Sequence, residues 1–518
     1  MTTDPHRYLS VTEMLFSTDV AQGPGTFSYA GKHKYEELPA QAEDWHVQTS
    51  GGVKKRVLPN QNGHYSFAAF GPKYNTTEDN SELLSKAAKA ANNSELKLTG
   101  HFALLKPVKI ENPVRIIGED CAIFDPNDLT NVIHFTHENS SIRNITFIGY
   151  ETLSKFQSNL PRNAADIRAF IRFSSVQNVK ISHIIGSGKR ALVVLDDCYN
   201  SNISDCYMEG FLPVITAGEL GQAEANKCAA VCVFGGAKNN VSRIYALNHG
   251  SVVLSGLDTV GIRISQISGR SLHDNGVYCS SGTDGVVQNC TGISDVIGTG
   301  VKSRGSRNII RDCYVKRCGV GFVMTGNGLT PDKYGANGVG NQLLNCTTED
   351  DYSYPWQATK QDGFFQRNLT IKGMLSLNGS RRGGKYSATI GFVSGLIYSN
   401  NTMLGHKGEQ YAFILSGAKN TKLSSVHLLD NHFYNGNGMA MRIQYVDEGQ
   451  ISKNLGNGNL SQLIELRNVN NLVVSDNQCL DQDVVKWSSN YPGRDCVIQR
   501  NIGNLNIGKT LAFHNEID

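Results

Sequence analysis

From about Gln177 onward the chain repeats itself with a period near 23 residues. No other feature limits the possible folds so tightly. Ser204-Asp205-Cys206, Gln288-Asn289-Cys290, Arg311-Asp312-Cys313 and Leu344-Asn345-Cys346 recur as x-Asp/Asn-Cys, the last three after apolar pairs such as Val286-Val287 and Ile309-Ile310. Cys290 to Cys313 is 23 residues; Cys313 to Cys346 is 33, so about ten are inserted there. A second register runs beside the first. Ser251-Val252-Val253-Leu254, Gly276-Val277-Tyr278-Cys279, Gly300-Val301-Lys302-Ser303 and Gly321-Phe322-Val323-Met324 follow one another at 25, 24 and 21 residues. Short β-rich units at such a period mean a solenoid, in which each coil buries its interior only against its neighbours. The expected fold is all-β, a right-handed parallel β-helix.

Composition agrees. Charged residues are 18% of 518 and glycines number 53, fewer charges and more glycine than globular chains carry. A formal charge of +3 leaves no footprint for nucleic acid. No stretch is apolar enough to span a membrane, and the N-terminus lacks the apolar run of a secretory signal. Synthesis in a cytoplasm is therefore expected. The twelve cysteines stand singly at repeat-equivalent positions. Without a Cys-x-x-Cys pair, disulfide, zinc and redox readings give way to an inward ladder of small hydrophobes. No metal site and no cofactor are expected.

Residues 1–65 do not repeat and read as a β-rich N-terminal module. Asp79 to Ala91 reads as an amphipathic helix with Asp79 and Glu82 forming a capping box, placed to cover the open end of the solenoid. Coils then occupy 66–510, with insertions at 329–340 and 349–368, and 511–518 form a tail.

Phe70-Gly71, Thr76-Thr77-Glu78-Asp79-Asn80, the helix, Leu96-Lys97-Leu98-Thr99-Gly100 and the run ending Ile117-Gly118 resemble the opening segment of pectate-lyase-like β-helices. Thr99-Gly100-His101-Phe102 stands where that family has Pro-Ala-Gly-x-Tyr. The arrangement is most similar to bacteriophage tailspike depolymerases. The resemblance implies a virion tail protein made in the host cytoplasm and a homotrimer. It also implies attachment to other phage tail proteins through the N-terminal module, and a bacterial surface polysaccharide as partner. Neither nucleic acid nor membrane insertion is implied.

Equivalent outward residues of stacked coils form columns. One column reads Val253, Tyr278, Lys302, Val323. Turn residues His273 and Asp274 precede it, and Arg304 follows Lys302. His273, Asp274 and Tyr278 are thus candidate acid–base residues; Lys302 and Arg304 are candidate anion binders. The alternative is ordinary solvated turn polarity. A second acidic group contains Asp197 and Glu209, with Glu219 and Glu224 on a following loop; Asp205 reads as a turn residue. Tyr352, Tyr354 and Trp356, in the insertion after Glu349, are candidate sugar-stacking residues; Asp362 is a further acid there.

The leading expectation is endo-hydrolysis of capsular or O-antigen polysaccharide by two carboxylates. A lyase acting by β-elimination on a uronate is the alternative, with Lys302 or Arg304 neutralising the acid and Tyr278 or His273 moving the proton. A non-catalytic polysaccharide receptor is the third.

Overall fold

The computed structural model describes residues 6–149, 164–211, 228–256, 258–325, 338–358, 366–380, 386–391, 393–407, 410–419, 422–458, 460–487 and 495–506. The protein is all-β, 57% strand and 5% helix, with about 18 turns of parallel β-solenoid, and it divides into two compact units.

The first unit holds residues up to 156, 163–211 and 230–240. It opens with a five-stranded sheet within residues 6–57. Inside it Lys55 Nζ donates to Glu37 Oε1 at 2.9 Å and to Ser28 Oγ at 3.0 Å, with both charged side chains buried. Burying the pair is tolerable because each charge has its partner. A helix at Ser81–Ala90 packs Leu84, Ala87 and Ala88 against Val108–Ile110 and Phe67–Phe70. Its N-cap is Asn80, not Asp79, and the capping box does not form. Asn80 instead accepts from Lys73 N and donates to Ala103 O, while Glu82 lies in solvent beside Lys86. Asp79 ties the helix start to the solenoid by accepting from Ser81 N and Leu105 N, both at 3.0 Å.

The second unit contains 241–518 and 212–229. Each coil gives one strand to each of three parallel sheets. Sheet A includes Ser251–Ser255, Asn275–Thr283, Tyr354–Ala358, Tyr411–Ser416, Met439–Gln444 and Gln462–Arg467. Sheet B includes Val286–Gln288, Ile309–Arg311 and Gln342–Leu344; sheet C includes Ser268–Leu272, Thr347–Glu349 and Leu375–Leu377. Gly292–Ser306 and Tyr314–Thr325 each run from sheet C around a corner into sheet A.

The x-Asp/Asn-Cys repeat has a backbone cause. Asn289, Asp312 and Asn345 sit at the bend from sheet B to sheet C with φ of 55°, 54° and 51°. Asn and Asp tolerate this left-handed conformation better than other non-glycine residues. The bend turns the next side chain inward, so Cys290, Cys313 and Cys346 are buried, and all twelve cysteines are free and buried. Burial pushes the Cys206 and Cys279 thiols up to about 12.

Two further expectations need correction. Residues 349–368 are not one loop: Tyr354–Ala358 is a sheet A strand, pairing Val320 with Tyr354 and Phe322 with Trp356. The first rung of the second register also slips by one. Val253 pairs with Val277 and Leu254 with Tyr278, so the column containing Tyr278 begins at Leu254, not Val253.

Candidate active site

The residues expected to converge on sheet A do so in the second unit. Tyr278 pairs with Lys302 in register, and Lys302 with Val323. The Lys302 Nζ lies 4.8 Å from the centre of the Tyr278 ring, and the Arg304 guanidinium carbon 5.5 Å. Cations are drawn to the negative ring face, so one aromatic ring holds two positive charges at the surface of adjacent coils. Asp274, half-buried at the corner leading into the strand, is hung from the preceding coil by its N–H to Gly250 O at 2.8 Å.

Exposure separates the roles. Tyr278 is 2% exposed and its hydroxyl is buried. Burial pushes its pKa up, Arg304 opposes this, and Asp274 adds to it. A hydroxyl beneath two cations cannot meet a sugar on the surface; Tyr278 is a platform for Lys302 and Arg304. His273 is also 2% exposed, its N–H donating to His249 O at 3.0 Å. Neither is a proton-transfer group toward a bound polymer in this arrangement. Asp274, Lys302 and Arg304 retain a reachable surface.

The acidic pair read from the sequence does not assemble. Both residues lie in the first unit. Asp197 occupies an exposed turn at φ 51°, accepting from Tyr199 Oη at 2.9 Å. Glu209 ends the strand Asn202–Glu209, on the sheet that carries Ser187. The two side chains belong to different sheets around the coil and do not face one sugar. Glu219, Glu224 and Asp362 lie outside the described residues.

The aromatics divide likewise. Trp356 is fully buried in the inward column with Val277, Val301 and Phe322, 6.5 Å from the Tyr398 ring. It fills the interior. Tyr352 is 7% exposed and packs on Ile297 at the corner; Tyr354 is half-buried at the start of its strand.

One cluster was missed. On the sheet C side of the same corner, Arg317 makes a two-pronged contact to Asp295 at 2.6 and 2.9 Å, and Arg270 approaches Asp295 at 3.4 Å. Burial pushes the Asp295 carboxyl up, but Arg317 and Arg270 more than reverse this and hold it below the usual aspartate range. One coil further, Glu349 accepts from Lys316 Nζ at 2.5 Å and from the Tyr314 hydroxyl. Lys316, then Tyr314, hold Glu349 low; burial and Glu349 raise Tyr314 to about 12. Asp295, Arg317 and Asp350 occupy the same left-handed position in successive coils, at φ 54°, 49° and 58°, which a column reading of that turn would have revealed.

Asp351 beside them is fully buried. Its Oδ1 accepts from Cys318 N at 3.1 Å, and its Oδ2 sits where a side chain on Gly321 would stand. Burial drives its pKa well above the usual value. Among the described residues, no group of three His, Cys, Asp or Glu could hold a metal ion, and no helix is long and apolar enough to cross a membrane.

No family model and no curated protein matches the chain. Solved structures to which it is similar include the Dettilon tailspike protein, at 13% identity over 68% of each chain with a TM-score of 0.44. An α-1,3-glucanase catalytic domain of glycoside hydrolase family 87 is 10% identical over 76% of this chain and 71% of that one, TM-score 0.48. The tailspike of Acinetobacter baumannii phage AM24 is 11% identical over 83% of this chain and 65% of that one, TM-score 0.39. Likenesses this distant assign no activity; what the molecule can do is read from its own surface.

Proposed function

We propose that the protein is a tailspike-type depolymerase that binds an acidic bacterial surface polysaccharide along sheet A and cuts it beside Asp274. The observation that carries the reading is the pair Lys302 and Arg304 held on the Tyr278 ring, with a carboxylate at the adjoining corner. Two fixed cations suit a sugar carboxylate, and a rigid strand scaffold holds them without reorganisation.

This constellation fits β-elimination better than the hydrolysis favoured by the sequence. In elimination Asp274 takes the C5 proton of a uronate whose carboxylate is neutralised by Lys302 and Arg304. The C5–H electrons form the C4–C5 double bond, and the C4–O bond breaks. The leaving oxygen takes a proton from water.

Hydrolysis is the second reading, and it rests on Asp295 and Asp350. Their backbones are two rungs apart, roughly 10 Å, near the upper end of the separation that inverting enzymes use. In the tailspike reading the protein is a homotrimer in the virion tail, and its N-terminal module joins other tail proteins. Light scattering that returned a monomer would remove the trimer.

The test is incubation with a panel of purified capsules and O-antigens, followed by product mass and ultraviolet absorbance. Elimination predicts fragments with an absorbing unsaturated uronate. Hydrolysis predicts fragments heavier by one water, without the absorbance. Binding without fragments would make the protein a receptor.

A further inference from the structure

The column that begins at the Lys302 site continues, strand by strand, along sheet A. Lys302 pairs with Val323, Val323 with Gln357, Gln357 with Thr389 and Thr389 with Ile414. Among the described residues, these four column positions carry no charge. Ile414 then pairs with Arg442, Arg442 with Glu465 and Glu465 with Lys486.

Here the surface is charged again, and it is built. Arg442 Nε donates to Glu465 Oε2 at 2.8 Å. Arg467 reaches Glu465 Oε1 through Nε and Nη2 at 3.0 and 2.7 Å. The Tyr411 hydroxyl donates to Glu465 Oε2 at 2.8 Å, and the Arg442 guanidinium carbon lies 3.9 Å from the Tyr411 ring centre. Glu465 is 3% exposed, whereas Arg442, Arg467 and Lys486 keep accessible surface. One buried carboxylate thus orients two guanidiniums, and the ammonium of Lys486 lies one rung further. The cluster keeps a surplus of positive charge after Glu465 is counted. An aromatic ring lies against a guanidinium here, as Tyr278 does under Arg304.

From these observations we infer that sheet A carries two anion-binding stations on one polymer track, five rungs or about 24 Å apart. The substrate class follows: a polysaccharide whose acidic residue recurs after several neutral sugars, once per long repeat unit. A polymer charged at every sugar, or at every second one, would lay carboxylates over the uncharged column positions between the stations. This inference rests on the depolymerase reading for its polymer, but it concerns a site that takes no part in bond breaking.

The test uses fragments of gellan, a polymer with one glucuronate in each tetrasaccharide repeat. One-repeat and two-repeat fragments, with neutral malto-oligosaccharides of equal length, are titrated into the full-length protein by calorimetry. Two-point attachment predicts at least a tenfold gain for two repeats over one. Arg467→Gln and, separately, Lys486→Gln should lower that gain, while one-repeat binding at the Lys302 station persists. Lys486→Gln leaves the Arg442, Glu465 and Arg467 contacts in place, which guards against a folding defect. Equal affinity for one and two repeats would overturn the inference. So would neutral oligomers binding as tightly, no binding of gellan fragments at all, or a gain untouched by both variants. Failure of the depolymerase reading looks different: two-point binding persists and no polymer in the capsule panel is cut.

Discussion

Two stretches of the second unit fill the same interior position in opposite ways. In the coils around sheet A residues 275–358 the residue after the left-handed bend is Cys290, Cys313 or Cys346, followed by Met374. From there on it is Asn401, Asn431, Asn454, Asn477 and Asn501. Each asparagine amide donates to the carbonyl oxygen of the next, at 2.9, 2.9, 2.8 and 2.9 Å. Each also binds backbone, as Asn454 does through its donation to Leu428 O at 3.0 Å. The thiol rungs gain from burial and packing; the amide rungs form a hydrogen-bond chain that is satisfied only while every member is present. At this position the coils bearing the candidate active site are held by packing, and those bearing Arg442 and Glu465 by an amide chain as well.

Asn454→Ala should leave the Asn431 amide and backbone N–H without their shared acceptor, at a cost of about 3 kcal/mol, read as a lowered urea midpoint. A loss no larger than that of the cysteine variant below would mean the amide chain adds nothing.

Asp351 sharpens the contrast through pH, because it lies buried in the thiol-lined coils. Its pKa is raised on folding, so the folded protein holds this proton more tightly than the unfolded chain does. The stability it confers is complete below the ordinary aspartate pKa and is lost as pH rises toward the raised value. Asp351→Asn should flatten that fall and raise the thermal midpoint by several degrees at mildly alkaline pH, with little change in acid.

Cys313→Ala should cost only about 1 kcal/mol, the scale of removing one buried methyl-sized group. The smallest effect concerns the platform: Tyr278→Phe keeps the ring under Lys302 and Arg304 and should change turnover by less than about threefold. A loss on the scale of general acid–base catalysis, about 10²–10⁴-fold, would return the hydroxyl to a proton-transfer role.

Much of the fold was legible because the bend that needs a left-handed residue recurs as Asp or Asn, and the inward position beside it as cysteine. The asparagine rungs carry the same signal in Asp430-Asn431 and Asp476-Asn477, but an amide does not announce itself as an interior residue until its stacking partner is aligned with it. The one-residue slip at Ser251 arose at the corner. Ser251 lies three positions after the left-handed Asn248, whereas Asn275 lies four positions after the left-handed Ser271. Corner length varies with local packing and is not fixed by strand periodicity. Column reasoning brought Tyr278, Lys302 and Arg304 together correctly. It gave direction without exposure, because two long cationic side chains cover a ring that points outward. Trp356 was misplaced because its aromatic neighbours suggested sugar stacking, while its strand register puts it in the interior.

We propose the sheet A surface beside Lys302 and Arg304 as the place where polymer is cut, with Asp274 as the proton-transfer group. The direct measurement is the turnover of Asp274→Asn against wild type on the polysaccharide that the wild type depolymerises, with urea midpoint and light scattering as controls. The account predicts a fall of about 10²–10⁴-fold with unchanged stability and assembly. Near-native turnover in Asp274→Asn would contradict it and move the chemistry to another face of the solenoid.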